Sequence, residues 1–230
     1  MNVTEAVQRR KSVRAFRSDP VPGKLLREIL EIAARAPSGC NVQPWRVHAL
    51  SGTPLAELKD RALRKFAATE ECPGKPEPQE YDIFPSNLWE PYRTHRFVCG
   101  EDLYATMGIA REDKAGRMRH LAKNLEFFGA PVGLFFSLDR QLLSPQWADL
   151  GMYMQTVMLL AVERGLDTCA QEFWALLPKM VSAFINLPPS LLLFSGMAMG
   201  YRDETASVNS LCTRRDPVDA FAVLRGFAED

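Results

Sequence analysis

The chain of 230 residues carries 28 Lys and Arg against 28 Asp and Glu, so its formal net charge is zero. With 47% hydrophobic and 24% charged residues it has ordinary globular composition and is long enough to bury a sizeable core. That balance excludes a mostly disordered chain and offers no general basic face for nucleic acid, although a local basic cluster can still bind a small anion.

In chain order, Val3 to Arg10 reads as a short helix, with Asn2 as its cap and Glu5 three residues on. Ser18 to Pro22 holds two prolines. Leu25, Leu26, Ile29, Leu30, Ala33 and Ala36 then recur at helical spacing, and Pro37 stops that amphipathic helix. Trp45 to Leu50 alternates as a strand does. Thr53-Pro54 opens a further helix whose apolar stripe is Leu55, Leu58, Ala62, Leu63 and Phe66. Pro73, Pro76, Pro78, Pro85 and Pro91 break up the next stretch, which is long for a structureless connection and so is expected to be functional or mobile. Polar helical sequence follows from about Glu101 to Phe128. Val132 to Ser137 reads as a strand buried on both faces. The helix opened by Ser144-Pro145 runs to Arg164 and stops at Gly165; apolar residues almost surround it, which predicts a central buried helix. Leu191 to Met199 is a second buried strand, and Val218 to Phe227 is an apolar-patterned tail. Strands are too few for a doubly wound sheet, so the fold class expected is a three-layer α+β domain.

No apolar run reaches the roughly 18 residues of a membrane span. The longest, Met152 to Val162, contains Gln155 and Thr156. No apolar stretch follows the basic residues of MNVTEAVQRRKS, so no secretory signal is expected. The five cysteines (Cys40, Cys72, Cys99, Cys169, Cys212) show neither metal spacing nor a disulfide framework, and read as free thiols in a reducing cytoplasm.

Three segments can carry chemistry. Arg9-Arg10-Lys11-Ser12-Val13-Arg14 places four cations and a hydroxyl within six residues. Guanidinium groups grip phosphate with paired hydrogen bonds, yet the same cluster also suits a solvated helix end. Pro37-Ser38-Gly39-Cys40-Asn41-Val42-Gln43-Pro44-Trp45 packs turn-forming residues between a helix and a strand. Its polar groups can meet the edge of a heterocycle, or simply cap a turn over a buried tryptophan. Cys40 has no neighbouring histidine or cation to activate it. Arg214-Arg215 is a surface pair, or the other half of one phosphate cradle. There is no Gly-x-Gly-x-x-Gly, no Walker loop and no Gly-x-Ser-x-Gly elbow. Of the three histidines, His48 reads as packed or at the surface, and His95 and His120 as solvated; none has zinc spacing, and no metal is expected.

The combination resembles the FMN-dependent nitroreductase family. Arg9 to Phe16, Pro20-Val21-Pro22, Leu30 to Ala36 and Ala36 to Trp45 look like that family's opening. The likeness continues at Gly165 to Cys169 with Gln171, at Gly196 to Tyr201, and at Arg215 with Pro217. Pro91-Tyr92-Arg93 through Gly108 to Lys114 is similar to the branch acting on nitrobenzoate-type substrates. The chain departs from the family pattern at Ala170, where many relatives have proline, and at Glu172 and Phe173.

The resemblance implies one domain over residues 1–230, folded as a three-layer α-β-α sandwich in an intertwined homodimer, with a substrate-covering lid at about 72–120. It implies that Arg10, Lys11, Ser12 and Arg14 hold FMN, with Arg10 and Arg215 at the phosphate and Arg14 near the pyrimidine edge. Pro37, Ser38, Gly39, Asn41 and Gln43 would come from the other subunit, and backbone groups of Ala170, Gln171 and Glu172 would face the ring. Tyr92, Arg93, Arg96 and Arg111 are candidates to meet a substrate carboxylate. The implied activity is NADH- or NADPH-dependent, ping-pong reduction of small nitroaromatic acceptors, with no side chain as general acid. Reductive dehalogenation of halophenols, quinone or flavin reduction, and flavin binding without turnover are the alternatives.

Overall fold

The computed structural model describes residues 1–67 and 77–227. Four strands, β1 (Arg46–Ser51), β2 (Val132–Asp139), β3 (Asp167–Gln171) and β4 (Leu191–Gly200), form one sheet in the order β1-β2-β4-β3. Every neighbouring pair is antiparallel, with Leu134 opposite Met197 and Asp167 opposite Gly200. Side-chain alternation along β2 sends Leu134, Phe136 and Leu138 to one face and Phe135 to the other. α2 (Gly23–Ala33) and α6 (Ser144–Glu163) cover the first face, through Ile29, Ala33, Leu150 and Val157. α3 (Gly52–Ala67) and α7 (Pro178–Phe184) cover the second, through Leu55, Leu58 and Val181. Helices on both faces of a sheet make the expected three-layer α-β-α sandwich.

The close fit of the second face depends on Gly196. A Cβ there would lie 2.3 Å from Cδ1 of Trp174, a fully buried ring stacked on Phe127 at 4.6 Å. Between Phe136 and Ser137 the β2–β4 register slips, leaving Phe194 without a partner. That bulge turns Phe194 toward Tyr81 and Trp147, and the Tyr81 hydroxyl donates to the Phe194 carbonyl.

Most local expectations hold. α1 (Val3–Arg9) carries the predicted cap: Asn2 Oδ1 accepts from the Glu5 amide at 2.9 Å, and Glu5 Oε2 accepts from the Asn2 amide at 3.0 Å. α2 ends at Ala33, a turn earlier than its apolar spacing suggests, because the chain tightens through Ala34 to Ala36 before Pro37. α3 starts at Gly52, and Pro54 sits in its first turn, where a missing amide costs nothing.

Two expectations are corrected. The polar stretch from Glu101 to Phe128 is not one helix. α4 (Tyr92–Ala105) begins nine residues earlier, the chain turns at Gly108 with φ +64°, and α5 (Lys114–Ala122) restarts where Asp113 caps Gly116 at 2.7 Å. A 3-10 stretch, Lys123–Gly129, then holds Phe127 and Phe128 at φ +51° and +54° to deliver both rings to the core. Second, α6 is not buried all round. Gly151 and Met152 are exposed, Met152 by 40%, and Gln155, Met158 and Leu159 are half-buried. The residues that looked like a continuous apolar surround divide into a core face and a second apolar face that the chain's own layers leave open. Of the expected lid, residues 72–76 lie outside the described residues, as do Cys72, Pro73 and Pro76. No helix among the described residues is long and apolar enough to cross a membrane.

Candidate cofactor site

The basic N-terminal run becomes extended at Arg10, which caps α1 with φ −62° and ψ 124°. Burial of Val13 and Phe16 then fixes its course. The Val13 amide donates to the Thr168 carbonyl at 3.0 Å, Ser12 bridges Thr168 in parallel, and the Phe16 amide donates to the Phe128 carbonyl at 3.2 Å. The run thus lies along the outer edge of β3. With Val13 turned inward, Arg10, Lys11, Ser12 and Arg14 line an open cleft of about 1350 Å³.

The opposite wall of that cleft is the late segment Leu211 to Asp216, which carries Arg214 and Arg215. Two basic clusters separated by about 200 positions therefore converge, as a phosphate cradle requires. α4 closes one side with His95, Val98, Cys99 and Asp102, spaced along one helical face. It is tied to the late segment by His95 Nε2 to Asp216 Oδ1 at 3.3 Å and by Arg214 Nη2 to Asp102 Oδ1 at 3.6 Å. Among the described residues, Arg10, Arg14 and Arg215 form no ion pair with a carboxylate. Arg215 folds onto its own loop, donating to Thr213 Oγ1 at 2.7 Å.

The donor set suits a mononucleotide. Ligand pockets typically enclose about 300–1,000 Å³, and this cleft exceeds that. It presents guanidinium groups that no carboxylate among the described residues neutralises, with Arg14 and Arg215 each donating from Nη1 to neighbouring loop oxygens, and a hydroxyl at Ser12. Beneath it the Cys169 thiol is buried; burial pushes its pKa up, while Arg14, Ser12 and Arg10 pull the other way, placing those groups against the β3 edge. On the same strand Ala170 is exposed, whereas Gln171 is buried with its side chain engaged: Nε2 donates to the Asn124 carbonyl at 2.9 Å. Gln171 Oε1 is buried without a partner, and neither Ala170 nor Gln171 is among the residues lining the cleft. Among the described residues no group of three or more His, Cys, Asp or Glu is arranged to hold a metal.

The turn from Pro37 to Gln43 does not join this cleft within one chain. It docks on the first half of α6, where the Gly39 amide donates to Asp149 Oδ2 at 3.2 Å and Trp45 stacks on Tyr153 at 4.8 Å. The cleft borders Gln155 and Val162, in the second half of the same helix. Cys40, Asn41 and Gln43 all have positive φ, 48°, 60° and 52°. Left-handed non-glycine residues cost on the order of 1 kcal/mol or more each, and such strain concentrates at functional loops. The Ser38 hydroxyl holds the turn by accepting from the Gln43 amide at 3.0 Å.

The lid candidates fall outside the cleft lining. Tyr92 is exposed and meets Trp89 edge-on at 5.5 Å. Arg93 pairs with Glu90 at 2.7 Å, Arg96 lies over Phe84 at 4.6 Å, and Arg111 lies over Phe97 at 5.0 Å. α4 and α5 are locked by Arg117, which grips Glu101 at 2.7 and 3.2 Å and covers Tyr104 at 4.3 Å.

Two residues near the cleft escaped the sequence reading. His120, expected on solvated surface, is only 6% exposed, packed between Tyr104 and Phe128. Burial, with Lys123 and Arg14 adding, pushes its pKa down to about 4, so it is neutral at pH 7. Its spacing from the buried Gly116, four residues earlier, is the signal that would have placed it inward. Asn209 is also 6% exposed, and nothing in its local sequence distinguishes it from a loop residue.

Comparison with known proteins agrees with this geometry. The model of the nitroreductase family matches residues 7–201. The chain is 39% identical over 221 residues to a 4-nitrobenzoate reductase of Pseudomonas putida, covering 96% of this chain and 94% of that protein. It is 36% identical over 227 residues to a chloronitrobenzene nitroreductase of Comamonas testosteroni, covering 96% of each. Its fold superposes with a TM-score of 0.94 on the FMN and NADPH-dependent nitroreductase NfnB of sphigopyxis sp. strain HMH, at 44% identity, over 99% of this chain and 100% of that one. A basic cleft at the β3 edge, a three-layer antiparallel core and a family match across residues 7–201 lead to one conclusion: this chain is a member of the nitroreductase family.

Proposed function

We propose that the chain is an FMN-dependent oxidoreductase that carries two electrons from NADPH or NADH to small nitroaromatic acceptors. The observation that carries this reading is the convergence of Arg10, Ser12 and Arg14 with Arg215 around one cleft at the β3 edge. Arg10 and Arg215 hold the FMN phosphate with charge-assisted hydrogen bonds. Ser12 and Arg14 take the remainder of the cofactor, Arg14 placing a cation by the pyrimidine edge, with Lys11 flanking. Backbone groups of Ala170 and Gln171 face the ring. Bound there, FMN supplies two-electron hydride exchange, which no side chain of this protein can perform alone. Donor and acceptor use the open face in turn, giving ping-pong kinetics. Reduction of a nitro group to nitroso consumes the two electrons and two protons and releases water, with protons available from solvent. Residues 77–120 of the lid cover the acceptor, where Tyr92, Arg93, Arg96 and Arg111 supply cationic and aromatic contacts for a carboxylate-bearing ring.

The site is completed by a second copy of the chain. Three features support a homodimer. The exposed apolar face of α6 runs through Met152. The tail leaves Phe221 and Leu224 exposed by 74% and 70%. The turn and the cleft occupy opposite halves of α6, so a two-fold axis crossing that helix brings Pro37, Ser38, Gly39, Asn41 and Gln43 of one copy to the cleft of the other. The whole of residues 1–230 then acts as one catalytic domain, in the cytoplasm, where its thiols stay reduced.

Purified protein should be yellow, sediment at twice its chain mass, bleach anaerobically with NADPH or NADH, and recolour on addition of a nitroarene. Yellow protein that does not bleach would be a flavin store. Halide release from halophenols in place of nitroarene turnover would favour the dehalogenase. A colourless monomer indifferent to added FMN refutes the proposal.

A further inference from the structure

The two basic arms of the cleft are joined through one buried amide. Asn209 Oδ1 accepts from the Arg14 amide at 2.8 Å. Its Nδ2 donates to the Ala15 carbonyl at 2.8 Å and to the Asp203 carbonyl at 2.9 Å. Its own carbonyl accepts from Lys11 Nζ at 2.6 Å. Every side-chain donor of Asn209 is used, and its acceptor is used, in a position 6% exposed. Around it the Asp203 amide donates to the Ala15 carbonyl at 3.1 Å and the Arg17 amide to the Tyr201 carbonyl at 2.9 Å. Asn209 stands five residues before Arg214, so the run carrying the late cations departs from the point where the early run is clamped.

We propose that Asn209 is a positioning residue that sets FMN affinity by holding the Arg10–Arg14 arm of the cleft in register with the Arg214–Arg215 arm. The proposal rests on the reading of the cleft as an FMN site. The pattern of contacts gives it a definite form. Asn209 is not itself among the residues that line the cleft; its side chain grips the backbone of Arg14 and its main-chain carbonyl the ammonium of Lys11. The Lys11 ammonium is thereby held by the late run, while among the described residues Arg10 and Arg14 form no ion pair with a carboxylate, Arg14 donating from Nη1 to the Ser12 carbonyl at 3.2 Å. Removing the side-chain amide leaves the Arg14 amide unpaired and the Asp203 carbonyl with only the Ala206 amide at 3.4 Å, while Lys11 keeps its bond to the main-chain carbonyl of residue 209; Arg14 itself then has no backbone clamp, between the anchors at Thr168 and at Phe128, Tyr201 and Asp203.

The test compares apoprotein variants in FMN titrations followed by quenching of flavin fluorescence. Asn209→Ala is expected to raise the FMN dissociation constant roughly tenfold or more. Asn209→Ser, which keeps one donor and one acceptor, should recover part of that loss and also covers the case in which the alanine variant does not fold. Val208→Ala, a truncation of the adjacent buried residue, should lower the melting temperature without changing FMN affinity. The midpoint potential of bound FMN should move negative in Asn209→Ala, because Arg14 is no longer held at its place, and should not move in Val208→Ala. Combined with Arg215→Ala, Asn209→Ala should add little further loss, since both disable one phosphate grip. Unchanged affinity in Asn209→Ala, an equal loss in Val208→Ala, or full additivity with Arg215→Ala overturns the positioning role. A wild-type protein that binds no FMN overturns instead the reading of the cleft on which it rests.

Discussion

Arg202 and Asp167 form a two-pronged ion pair, Nη2 to Oδ1 at 2.7 Å and Nε to Oδ2 at 3.1 Å, that ties the exit of β4 to the first residue of β3. Both side chains are mostly shielded, at 19% and 12% exposure. Arg202→Ala leaves a shielded carboxylate without its partner. It is expected to cost roughly 3 kcal/mol of stability, measured by urea denaturation. A change within 0.5 kcal/mol would show that water already screens the pair.

Arg215→Ala should separate binding from folding. Its guanidinium is exposed and bonded only to its own loop, so the melting temperature of the apoprotein should stay unchanged. FMN affinity should fall about 10–100-fold, the equivalent of one charge-assisted hydrogen bond to phosphate. Undiminished affinity in equilibrium dialysis would remove Arg215 from the cradle.

His120 should make the protein acid-sensitive. Its folded pKa of about 4 lies below the ordinary 6.5, so the unfolded chain binds the proton more readily between these values. The stabilisation is complete above about pH 6.5 and is lost progressively as the pH falls toward 4, by on the order of 2–3 kcal/mol. In His120→Gln the stability curve over that window should flatten, as followed by denaturation at successive pH values. A wild-type curve with no slope there contradicts the burial of a neutral histidine.

Met152 probes the second copy. Met152→Arg places a charge on the exposed apolar face of α6, away from the sheet. Sedimentation should show the dimer shifting to monomer, with FMN affinity falling in parallel, because the turn at Asn41 would no longer reach the neighbouring cleft. A monomeric variant with intact FMN affinity would show that one chain suffices.

Gly196→Ala tests the packing under the sheet. The added methyl meets Trp174, whose ring is held by Phe127 at 4.6 Å and Phe135 at 5.3 Å and has no room to yield. A loss of about 1–3 kcal/mol is expected in thermal or urea unfolding.

What could be read without coordinates was local or repeated. The capping box of Asn2 and Glu5, the stripe of Leu55 and Leu58, the buried run from Val132 and the stop at Gly165 are each written within a few neighbouring residues. Helix and strand periodicity depends on little else. The basic and turn segments of the cleft were also legible, as a combination of residue types resembling a known family. Their meeting was not. Arg14 and Arg215 converge because Val13 buries against the β3 edge and Asn209 clamps the two runs together, contacts between positions far apart in the chain. The break at Gly108, the inward turn of His120 and the division of α6 into a core face and an open face likewise depend on what packs alongside. Short-range order follows from the chemistry of adjacent side chains. Which apolar surface is covered, and which cations share a cleft, follows from register and burial that no single segment encodes.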